Sequence, residues 1–471
     1  MMKKALAVGT LIAFMAVTPI PAFAVGSGGF ENGAFSAKQL ALGGATTATP
    51  DEPAAISYNP AGIVDLPGIQ VQGDANFISM LTWKNNDGPT GNTRSSGTLS
   101  LVPTAYMTIN PGKIFCDRLA FGVGTDSPFG LMNKYKGGDA SVHYTGWKNW
   151  LKMYTIKPTV AYKVTDKLSI GGGPVWYRIY DFGSVQGYPN NLVTAPYGLP
   201  TADGQLRMNA AGNKWGWQMG TLYKLTPKHR LGYYFRSPVT MKVSGLAKVE
   251  NADLPVMLGG PGIHSFETGI HGKLNLPMNM TWAYAYQPTL KTHYEADFTW
   301  SRWSTNKRLR IVSDPTALDS DNALMNGIGN SSATDKDWSD GFGIQLGVSH
   351  QLTDKLTLRG GSFFYWTPVP NDHFTPSVPD SNHLAITMGL GYKISRYLTA
   401  DLSYYNAFYF SRRVNNNIGE AEYANNSSVD GTYTSYMQAF TISLTAHWDD
   451  LFPSAYKDET PAMGLNPAAA A

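Results

Sequence analysis

The sequence predicts an all-β protein, a transmembrane antiparallel β-barrel of about fourteen strands with an N-terminal hatch in its lumen. Three observations lead to this fold class: an export signal, apolar residues that alternate with small or polar ones, and connections that are short at one end of the strands and long at the other. We divide the chain into a signal peptide (1–24), the hatch (25–66), the barrel (67–448) and a C-terminal tail (449–471).

The first 24 residues have the pattern of a secretory signal peptide. Lysines at positions 3 and 4 precede an apolar run from Ala5 to Val17, and Ala22-Phe23-Ala24 supplies the small residues of a cleavage site. A membrane-anchoring helix would need about 20 apolar residues, which this stretch does not contain. We therefore expect an exported protein whose mature chain begins near Val25.

Composition argues against several other classes of protein. Charged residues make up 15% of the 471-residue chain, whereas roughly 25% is usual in a soluble domain. The net charge of +3 is too small to indicate a nucleic-acid partner. The single cysteine, Cys116, excludes an internal disulfide.

Beyond the signal peptide, apolar residues recur at every second position, which is the period of a strand with two different faces. In "FGIQLGVS" (342–349), for example, Phe, Ile, Leu and Val alternate with Gly, Gln, Gly and Ser. The predicted strands are 69–82, 98–109, 118–126, 152–164, 168–182, 208–225, 229–247, 264–286, 290–302, 340–352, 355–366, 382–394, 398–411 and 433–448.

The connections between these strands have two lengths. Short polar turns that end in leucine join several pairs, for example "VTDKL" (164–168) and "LTDKL" (352–356). Much longer loops lie between these hairpins, at 131–151, 183–207, 303–339 and 412–432. This arrangement is typical of outer-membrane barrels. A soluble β-sandwich would also alternate, but it rarely combines long hairpin-linked strands with an export signal.

The segment before the first strand shows no alternation. Its end, "PDEPAAISYNPAGIVDLPG" (50–68), is rich in proline and small residues, and Ile56, Tyr58, Ile63 and Leu66 offer apolar contacts. Proline and glycine favour turns, so this composition indicates a compact segment rather than a disordered tail. We interpret residues 25–66 as a hatch that folds inside the barrel and closes it.

Four short motifs occur in a fixed order along the chain. Asn59-Pro60-Ala61 lies near the end of the hatch, "GVGTDSPFGL" (122–131) falls at the third strand, and "YYFRSPV" (233–239) and "FTWSRWS" (298–304) follow. In this order the motifs resemble those of the FadL/TodX-type outer-membrane transporters of hydrophobic compounds, with Phe235 where that family has a tyrosine. The tail after Trp448 departs from barrels of this type, which usually end at an aromatic residue, and we assign the tail no function.

The resemblance implies a monomeric fourteen-stranded barrel, plugged by its hatch, in the outer membrane of a Gram-negative bacterium. Such proteins take up long-chain fatty acids or aromatic hydrocarbons by passive diffusion. Ligand would be captured on extracellular loops, pass to a pocket in the lumen, and leave sideways through a kinked third strand. The sequence does not choose between the two substrate classes.

The third strand contains the stretch "GTDSPFG", from Gly124 through Asp126, Ser127, Pro128 and Phe129 to Gly130. Pro128 cannot donate a hydrogen bond to a sheet ladder, and glycines permit backbone angles that other residues resist. Either the strand ends at Asp126 and a loop begins, or the strand kinks and leaves a hole in the wall. The family resemblance favours the kink, with the freed backbone groups shielded by the hatch.

Two arginines lie on predicted barrel strands, Arg236 and Arg359. We expect both to face the lumen, because an arginine on the lipid face costs roughly 2–4 kcal/mol at the bilayer midplane. There they could pair with hatch or strand carboxylates, or one of them could bind the carboxylate of a ligand. The sequence leaves both interpretations open.

The first long loop contains a second group of candidate ligand contacts. Trp147, Trp150, Leu151 and Met153 could form an extracellular capture surface or an interfacial anchor. The two readings are equally compatible with the sequence.

The sequence predicts no enzyme, no metal site and no cofactor. It contains nine histidines but no His-Glu-x-x-His motif and no closely spaced Cys/His set. Three classes of barrel remain: a passive transporter of hydrophobic molecules, a general porin, and an adhesin or lipolytic barrel. The hatch argues against the porin, and nothing in the sequence indicates a lipase.

Overall fold

The structure is a computed structural model and describes residues 28–85, 90–97, 99–112, 118–136, 139, 141–188, 204–250, 265–314, 331–416, 418 and 428–448. The predicted signal peptide, residues 25–27 of the hatch and the C-terminal tail lie outside the described residues. Within these ranges the backbone forms one antiparallel sheet that closes on itself. Its first strand pairs with its last from Ile69 opposite Trp448 to Lys84 opposite Tyr433.

In the described part of the chain, fourteen long strands form the barrel wall, and each pairs with the strands before and after it. They are β1 (Gly68–Lys84), β2 (Leu99–Asn110), β3 (Leu119–Asp126), β4 (Lys148–Lys163), β5 (Leu168–Tyr188), β6 (Gly204–Thr226), β7 (His229–Arg236 and Val239–Glu250), β8 (Ser265–Leu276 and Asn279–Thr289), β9 (Thr292–Ser301), β10 (Gly341–Gln351), β11 (Leu356–Trp366), β12 (His383–Ser395), β13 (Leu398–Tyr409) and β14 (Gly431–Trp448). Short strands extend the wall beyond them: Thr93–Arg94, Leu131–Lys134, Arg308–Ser313, Ser331–Asp335 and Arg412–Val414.

The predicted barrel is confirmed, and most predicted strands agree with the observed ones within a few residues. The largest differences lie at the long-loop end, where several strands continue further than the alternation indicates. β4 begins at Lys148 rather than at residue 152, and Leu131–Lys134 is a short strand inside a predicted loop. At these strand ends the alternation of apolar and polar residues is lost, because this part of the wall no longer has lipid on one side and the lumen on the other.

Side chains alternate between the two surfaces of the wall as the period of two predicts. On β10, Phe342, Ile344, Leu346 and Val348 are 38–50% exposed on the outside. Gly343, Gln345, Gly347 and Ser349, which lie between them, are buried. A closed sheet with large apolar side chains on its outer surface is suited to lipid, whereas the two sheets of a soluble sandwich bury their apolar faces against each other.

Residues 28–66, here called the N-terminal segment, lie inside the barrel. The segment contains one α-helix, α1 (Ala37–Ala41), and two 3-10 helices, Pro53–Ser57 and Pro60–Asp65. Both 3-10 helices begin with proline. The first N–H groups of a helix have no partner within the helix, so a residue that lacks an N–H is tolerated there. Among the described residues, no helix is long and apolar enough to cross a membrane.

Polar side chains from several strands of the wall hold the N-terminal segment. On one side, the Ala37 N–H donates to Ser443 Oγ of β14 at 2.8 Å, and Thr387 Oγ1 of β12 donates to Ala41 O at 2.9 Å. On another side, the Ala48 N–H donates to Glu295 Oε1 of β9 at 2.6 Å. Because these contacts come from separate parts of the wall, the segment is tethered across the lumen.

Glycines on the inner surface let the N-terminal segment approach the wall closely. A Cβ added at Gly232 would lie 2.3 Å from Thr47 O, and one added at Gly361 would lie 2.3 Å from Leu42 C. Real Cβ atoms do not approach backbone this closely. The inner wall is therefore shaped to fit the segment.

Candidate functional site

Directly after β3 the chain bends into the lumen and pairs with the N-terminal segment. Phe129 forms an antiparallel bridge with Glu31. Backbone hydrogen bonds of 2.8 and 2.9 Å join residues 30–32 to residues 128–130 on either side of this bridge, and Asn32 Nδ2 donates to Ser127 O at 2.7 Å. Residues 127–130, here called the kink, thus leave the barrel ladder and find their partners on the N-terminal segment.

The kink interrupts pairing briefly on the β4 side and over a longer interval on the β2 side. Its partner on one side, β4, pairs with Asp126 through Thr155 and again with Leu131 through Leu151. On the β2 side, pairing stops at Ala105 opposite Thr125, and backbone hydrogen bonding resumes where the Ser96 N–H donates to Lys134 O at 2.7 Å. We call the interval between residues 99–104 of β2 and residues 127–133 the lateral gap.

Two prolines border the lateral gap. Pro128 lies in the kink, as the sequence predicted for a residue that cannot join a ladder. Pro103, which the sequence analysis did not single out, lies on β2 in the stretch without a partner on this side. Pro103 alone could not have located this side of the gap from sequence, because Pro158 on β4 and Pro174 on β5 also interrupt alternating strands, and those strands are paired on both sides.

A buried ion pair fixes the end of the lateral gap that is nearer to the short turns. Lys157 Nζ of β4 contacts Asp126 Oδ2, and both side chains are fully buried. Ser57 Oγ of the N-terminal segment donates to the same carboxylate, and Thr155 Oγ1 donates to its other oxygen. Sequence analysis missed Lys157, although it shares an alternation face with Thr155 and Thr159 and could have been assigned to the lumen on that ground.

The reason given for Gly124 from sequence is wrong. Among the described glycines with positive φ, neither Gly124 nor Gly130 occurs, so unusual backbone angles are not what these positions require. At Gly124 an added Cβ would lie 2.6 Å from Cδ1 of Tyr106 and 3.1 Å from Cγ2 of Ile56. The glycine is needed for space against Tyr106 of β2 and, further away, Ile56 of the N-terminal segment.

Arg236 faces the lumen and is paired with the N-terminal segment. It is 2% exposed and its Nη2 donates to Glu31 Oε1. Glu31 also accepts from Ser301 Oγ at 2.9 Å and from Asn279 Nδ2 at 3.3 Å. Burial raises the pKa of Glu31, and the nearby Arg236 guanidinium only partly offsets that effect. Sequence analysis did not find Glu31, because it lies in a segment without any periodic pattern.

A cluster of aromatic rings surrounds this ion pair. Phe30 lies 4.7 Å from Trp303 and 6.1 Å from Phe129, measured between ring centroids, and Trp303 lies 5.0 Å from Trp338. The Arg236 guanidinium lies 4.7 Å above the Phe129 ring. All four rings are almost completely buried, so the kink and the N-terminal segment meet in an apolar environment.

Apolar side chains continue from this cluster along the inner wall, on the side of the barrel away from the short turns. We call this surface the apolar tract, and its wall residues are Leu151, Met153, Val175, Tyr177, Ile179, Val239, Met241, Val243, Leu274 and Leu276. Near the short turns the inner wall is instead polar and charged. The N-terminal segment fills this polar part of the lumen, and its Phe30 reaches the apolar tract.

Two small cavities lie between the N-terminal segment and the wall. The larger, of about 90 Å³, is bordered by Glu31, Arg236, Tyr58, Phe363 and Tyr405 among others. The smaller, of about 30 Å³, is bordered by Glu31, Met80, Leu131, Met132 and Met437 among others. Glu31 borders both cavities.

Arg359 also faces the lumen, but it lies apart from these cavities. Its Nη1 donates to Asp401 Oδ1 of β13 at 2.6 Å, and both side chains are at least nine-tenths buried. Both partners belong to the wall, so this pair does not involve the N-terminal segment. Each candidate arginine thus has a carboxylate partner, Glu31 for Arg236 and Asp401 for Arg359.

The structure does not bring the four candidate loop residues to one surface. Leu151 and Met153 face inward as part of the apolar tract. Trp150 lies on the other face of β4, where its Nε1 donates to Asp181 Oδ1 at 2.6 Å. Trp147 stacks on His143, with ring centroids 5.5 Å apart. Leu151 and Met153 line the lumen, and ligand capture by Trp147 and Trp150 stays a prediction.

The Asn59-Pro60-Ala61 motif ties the N-terminal segment to the wall near the polar end. Asn59 caps the second 3-10 helix by accepting from the Ala61 N–H at 3.2 Å. Its Nδ2 donates to Thr47 O at 2.6 Å and to Thr221 O of β6 at 3.0 Å. One side chain therefore joins two parts of the segment to the barrel.

Replacing Asn59 with alanine should loosen the N-terminal segment without unfolding the barrel. The change removes a helix cap and the hydrogen bonds to Thr47 O and Thr221 O, which together should cost about 2–4 kcal/mol of local stability. Hydrogen exchange should accelerate in residues 47–62 and stay unchanged in the strands. Asn59→Asp keeps the cap acceptor but removes both donors, so it should show most of the same effect. Unchanged exchange in the alanine variant would contradict this role.

Comparison with known proteins shows which family shares this architecture. Residues 20–448 match the family described as "Outer membrane protein transport protein (OMPP1/FadL/TodX)". The long-chain fatty acid transport protein of Escherichia coli O6:H1 is 25% identical over 405 residues, which cover 80% of this chain and 86% of that protein. Outer membrane protein P1 of Haemophilus influenzae is 23% identical over 337 residues, which cover 66% and 67% of the two chains.

Solved structures show the same fold. A FadL homologue from Pseudomonas aeruginosa superimposes with a TM-score of 0.74 at 19% identity, covering 89% of this chain and 99% of that one. The toluene transporter TodX of Pseudomonas putida superimposes with a TM-score of 0.65 at 16% identity, covering 88% and 98%. The closed barrel is thus shared with both structures.

Proposed function

The chain belongs to the outer membrane transport protein family represented by FadL and TodX, and on that premise we propose that it carries hydrophobic small molecules passively across the outer membrane of a Gram-negative bacterium. The observation that carries the proposal is the lateral gap, which adjoins the apolar tract on the inside and the lipid on the outside. Ligand enters through the extracellular loops, follows the apolar tract, and leaves sideways between β2 and the kink.

A dry route suits an apolar solute better than an aqueous pore. Such a solute gains about 0.8 kcal/mol for each CH₂ removed from water, so a water-filled channel would oppose its passage. A hole in a barrel wall is tolerable in lipid only where the freed backbone groups have partners. Here the N-terminal segment supplies those partners to the kink, and we propose that it acts as a hatch that must shift to let ligand pass.

The substrate class we favour is long-chain fatty acids or related lipophilic compounds. The family includes relatives named as long-chain fatty acid transport proteins, and aromatic hydrocarbons are the alternative, since a toluene transporter shares the fold. We propose that the protein acts as a monomer and without catalysis. Trp147 and Trp150 are proposed to contribute to capture on the outside, and Leu151 and Met153 to the route inside.

The competing classes are a general porin and an adhesin or lipolytic barrel. Proteoliposomes should import a radiolabelled fatty acid much faster than empty liposomes, while swelling in sugar solutions should stay at the level of the empty vesicles. A general porin would give the reverse result, with rapid swelling. Import no faster than in empty liposomes would contradict the proposed function, and a catalytic barrel would be revealed by hydrolysis of added phospholipid.

A further inference from the structure

We propose that Arg236, Asn279 and Ser301 form a carboxylate-binding site, which Glu31 of the N-terminal segment occupies in the closed protein and from which an acidic hydrophobic ligand displaces it. This inference rests on the proposed function and deepens it, because it names a ligand chemistry and the contact that the ligand breaks. Glu31 is then an internal competitor for the ligand's head group.

The geometry of the site is that of a carboxylate receptor. Arg236, Asn279 and Ser301 come from β7, β8 and β9, three neighbouring strands whose relative positions are fixed by the ladder: Asn279 is paired with both Arg236 and Ser301. All three side chains donate to the one carboxylate of Glu31, which is 3% exposed. Charge-assisted hydrogen bonds of this kind are the stronger ones in proteins, and arginine suits carboxylates in particular.

Glu31, which occupies the site, is held by fewer backbone contacts than the three donor residues. Glu31 belongs to a single antiparallel bridge near the start of the N-terminal segment, whereas each donor is paired in the ladder with the strands on both of its sides. Arg359 offers a contrast, because its partner Asp401 lies on a barrel strand and cannot move away. Of these two arginines, only Arg236 therefore has a carboxylate that can be exchanged without disturbing the wall.

Exchange at this site would make room for the ligand. The two cavities that Glu31 borders, of about 90 and 30 Å³, are far smaller than the 300–1,000 Å³ typical of ligand pockets. Because Glu31 borders both, its withdrawal joins them. The same movement separates Glu31 from Phe129, so binding in the lumen frees the kink beside the lateral gap.

The exchange also selects between ligand chemistries. A buried arginine that loses its partner is strongly unfavourable, so a neutral hydrocarbon gains nothing at this site by expelling Glu31. A carboxylate replaces the lost partner with an equivalent one, and its chain can lie against Phe30, Trp303 and Trp338. The site therefore favours long-chain acids over neutral molecules of the same length.

Equilibrium dialysis of the purified full-length protein with radiolabelled oleate and, separately, oleyl alcohol tests this inference. Glu31→Gln removes the competitor's charge and should tighten oleate binding about tenfold, within the usual range of coupling between two binding events. Arg236→Gln should weaken oleate binding by a similar factor. Neither variant should change oleyl alcohol binding by more than about twofold, since the alcohol does not compete for the arginine.

Glu52→Gln is the matched control. Glu52 is a buried acid of the same segment that accepts from Ser36 and Gln72 and borders neither of the two cavities described. The Glu52→Gln substitution should change oleate binding and oleyl alcohol binding by the same factor. Oleate binding that is unchanged or weaker in Glu31→Gln would overturn the inference, as would equal shifts for both ligands. Failure of the unaltered protein to bind either ligand would instead contradict the proposed function.

Discussion

Uptake of hydrophobic ligand is expected to stop when a disulfide joins Pro103→Cys of β2 to Ser127→Cys of the kink. In the register of the last observed pairs, Ala105 opposite Thr125, these two positions face each other at the lower edge of the lateral gap. A covalent link there draws β2 and the kink together and closes the exit. Uptake of radiolabelled fatty acid by cells or proteoliposomes should fall to background under oxidising conditions and return on reduction.

The control for this experiment lies on the same two strands. Ile109 and Phe121 are paired below the gap, where the wall is already closed, so a disulfide between cysteines at these positions should leave uptake unchanged. Cys116 should be replaced with serine in both variants so that no other thiol competes. If the sulfurs at 103 and 127 stay too far apart, a short bis-maleimide can span them. Uptake at the normal rate with the link verified would rule out a lateral exit.

The barrel itself could be predicted from sequence because lipid imposes a simple rule on every strand. Outward positions must be apolar and inward positions are small or polar, so a stretch such as 342–349 reports both its secondary structure and its orientation. The same rule places Arg236 and Arg359 in the lumen. It fails at the long-loop ends, where β4 begins several residues earlier than the alternation indicates.

The candidate site could be predicted only in part. Pro128 identifies the kink because a residue without an N–H cannot continue a ladder. Glu31, Asn279 and Ser301 carry no such signal, since what makes them a site is their meeting across the lumen and not their spacing along the chain. At Gly124 the sequence predicts an unusual backbone angle, but the structure shows no positive φ there and requires the glycine for clearance from Tyr106.

Deletion of residues 25–65 is expected to convert a closed barrel into an open channel. The strands pair with one another and not with the N-terminal segment, so the barrel should still fold. Fourteen strands enclose a lumen too wide to be filled by wall side chains alone, and the part that loses the segment is lined with charged groups such as Asp126, Lys157 and Glu295. Water and ions should enter it, and planar-bilayer recordings should show stable conductance steps absent from the intact protein.

A single substitution on the wall, Gly361→Val, should reproduce part of the increase in conductance. The neighbouring residue, Gly360, provides the control. Gly361 faces the segment, and a Cβ there would lie 2.3 Å from Leu42 C and 2.5 Å from Gly43 N, so Gly361→Val must push the segment away from the wall. Gly360 lies on the opposite surface, where an added Cβ would meet nothing closer than 3.8 Å, and Gly360→Val should leave the barrel closed. Conductance should therefore rise in the order Gly360→Val, Gly361→Val, deletion. A deletion variant that folds but conducts no better than the intact protein would contradict this role of the segment. The wall side chains alone would then be sufficient to close the lumen.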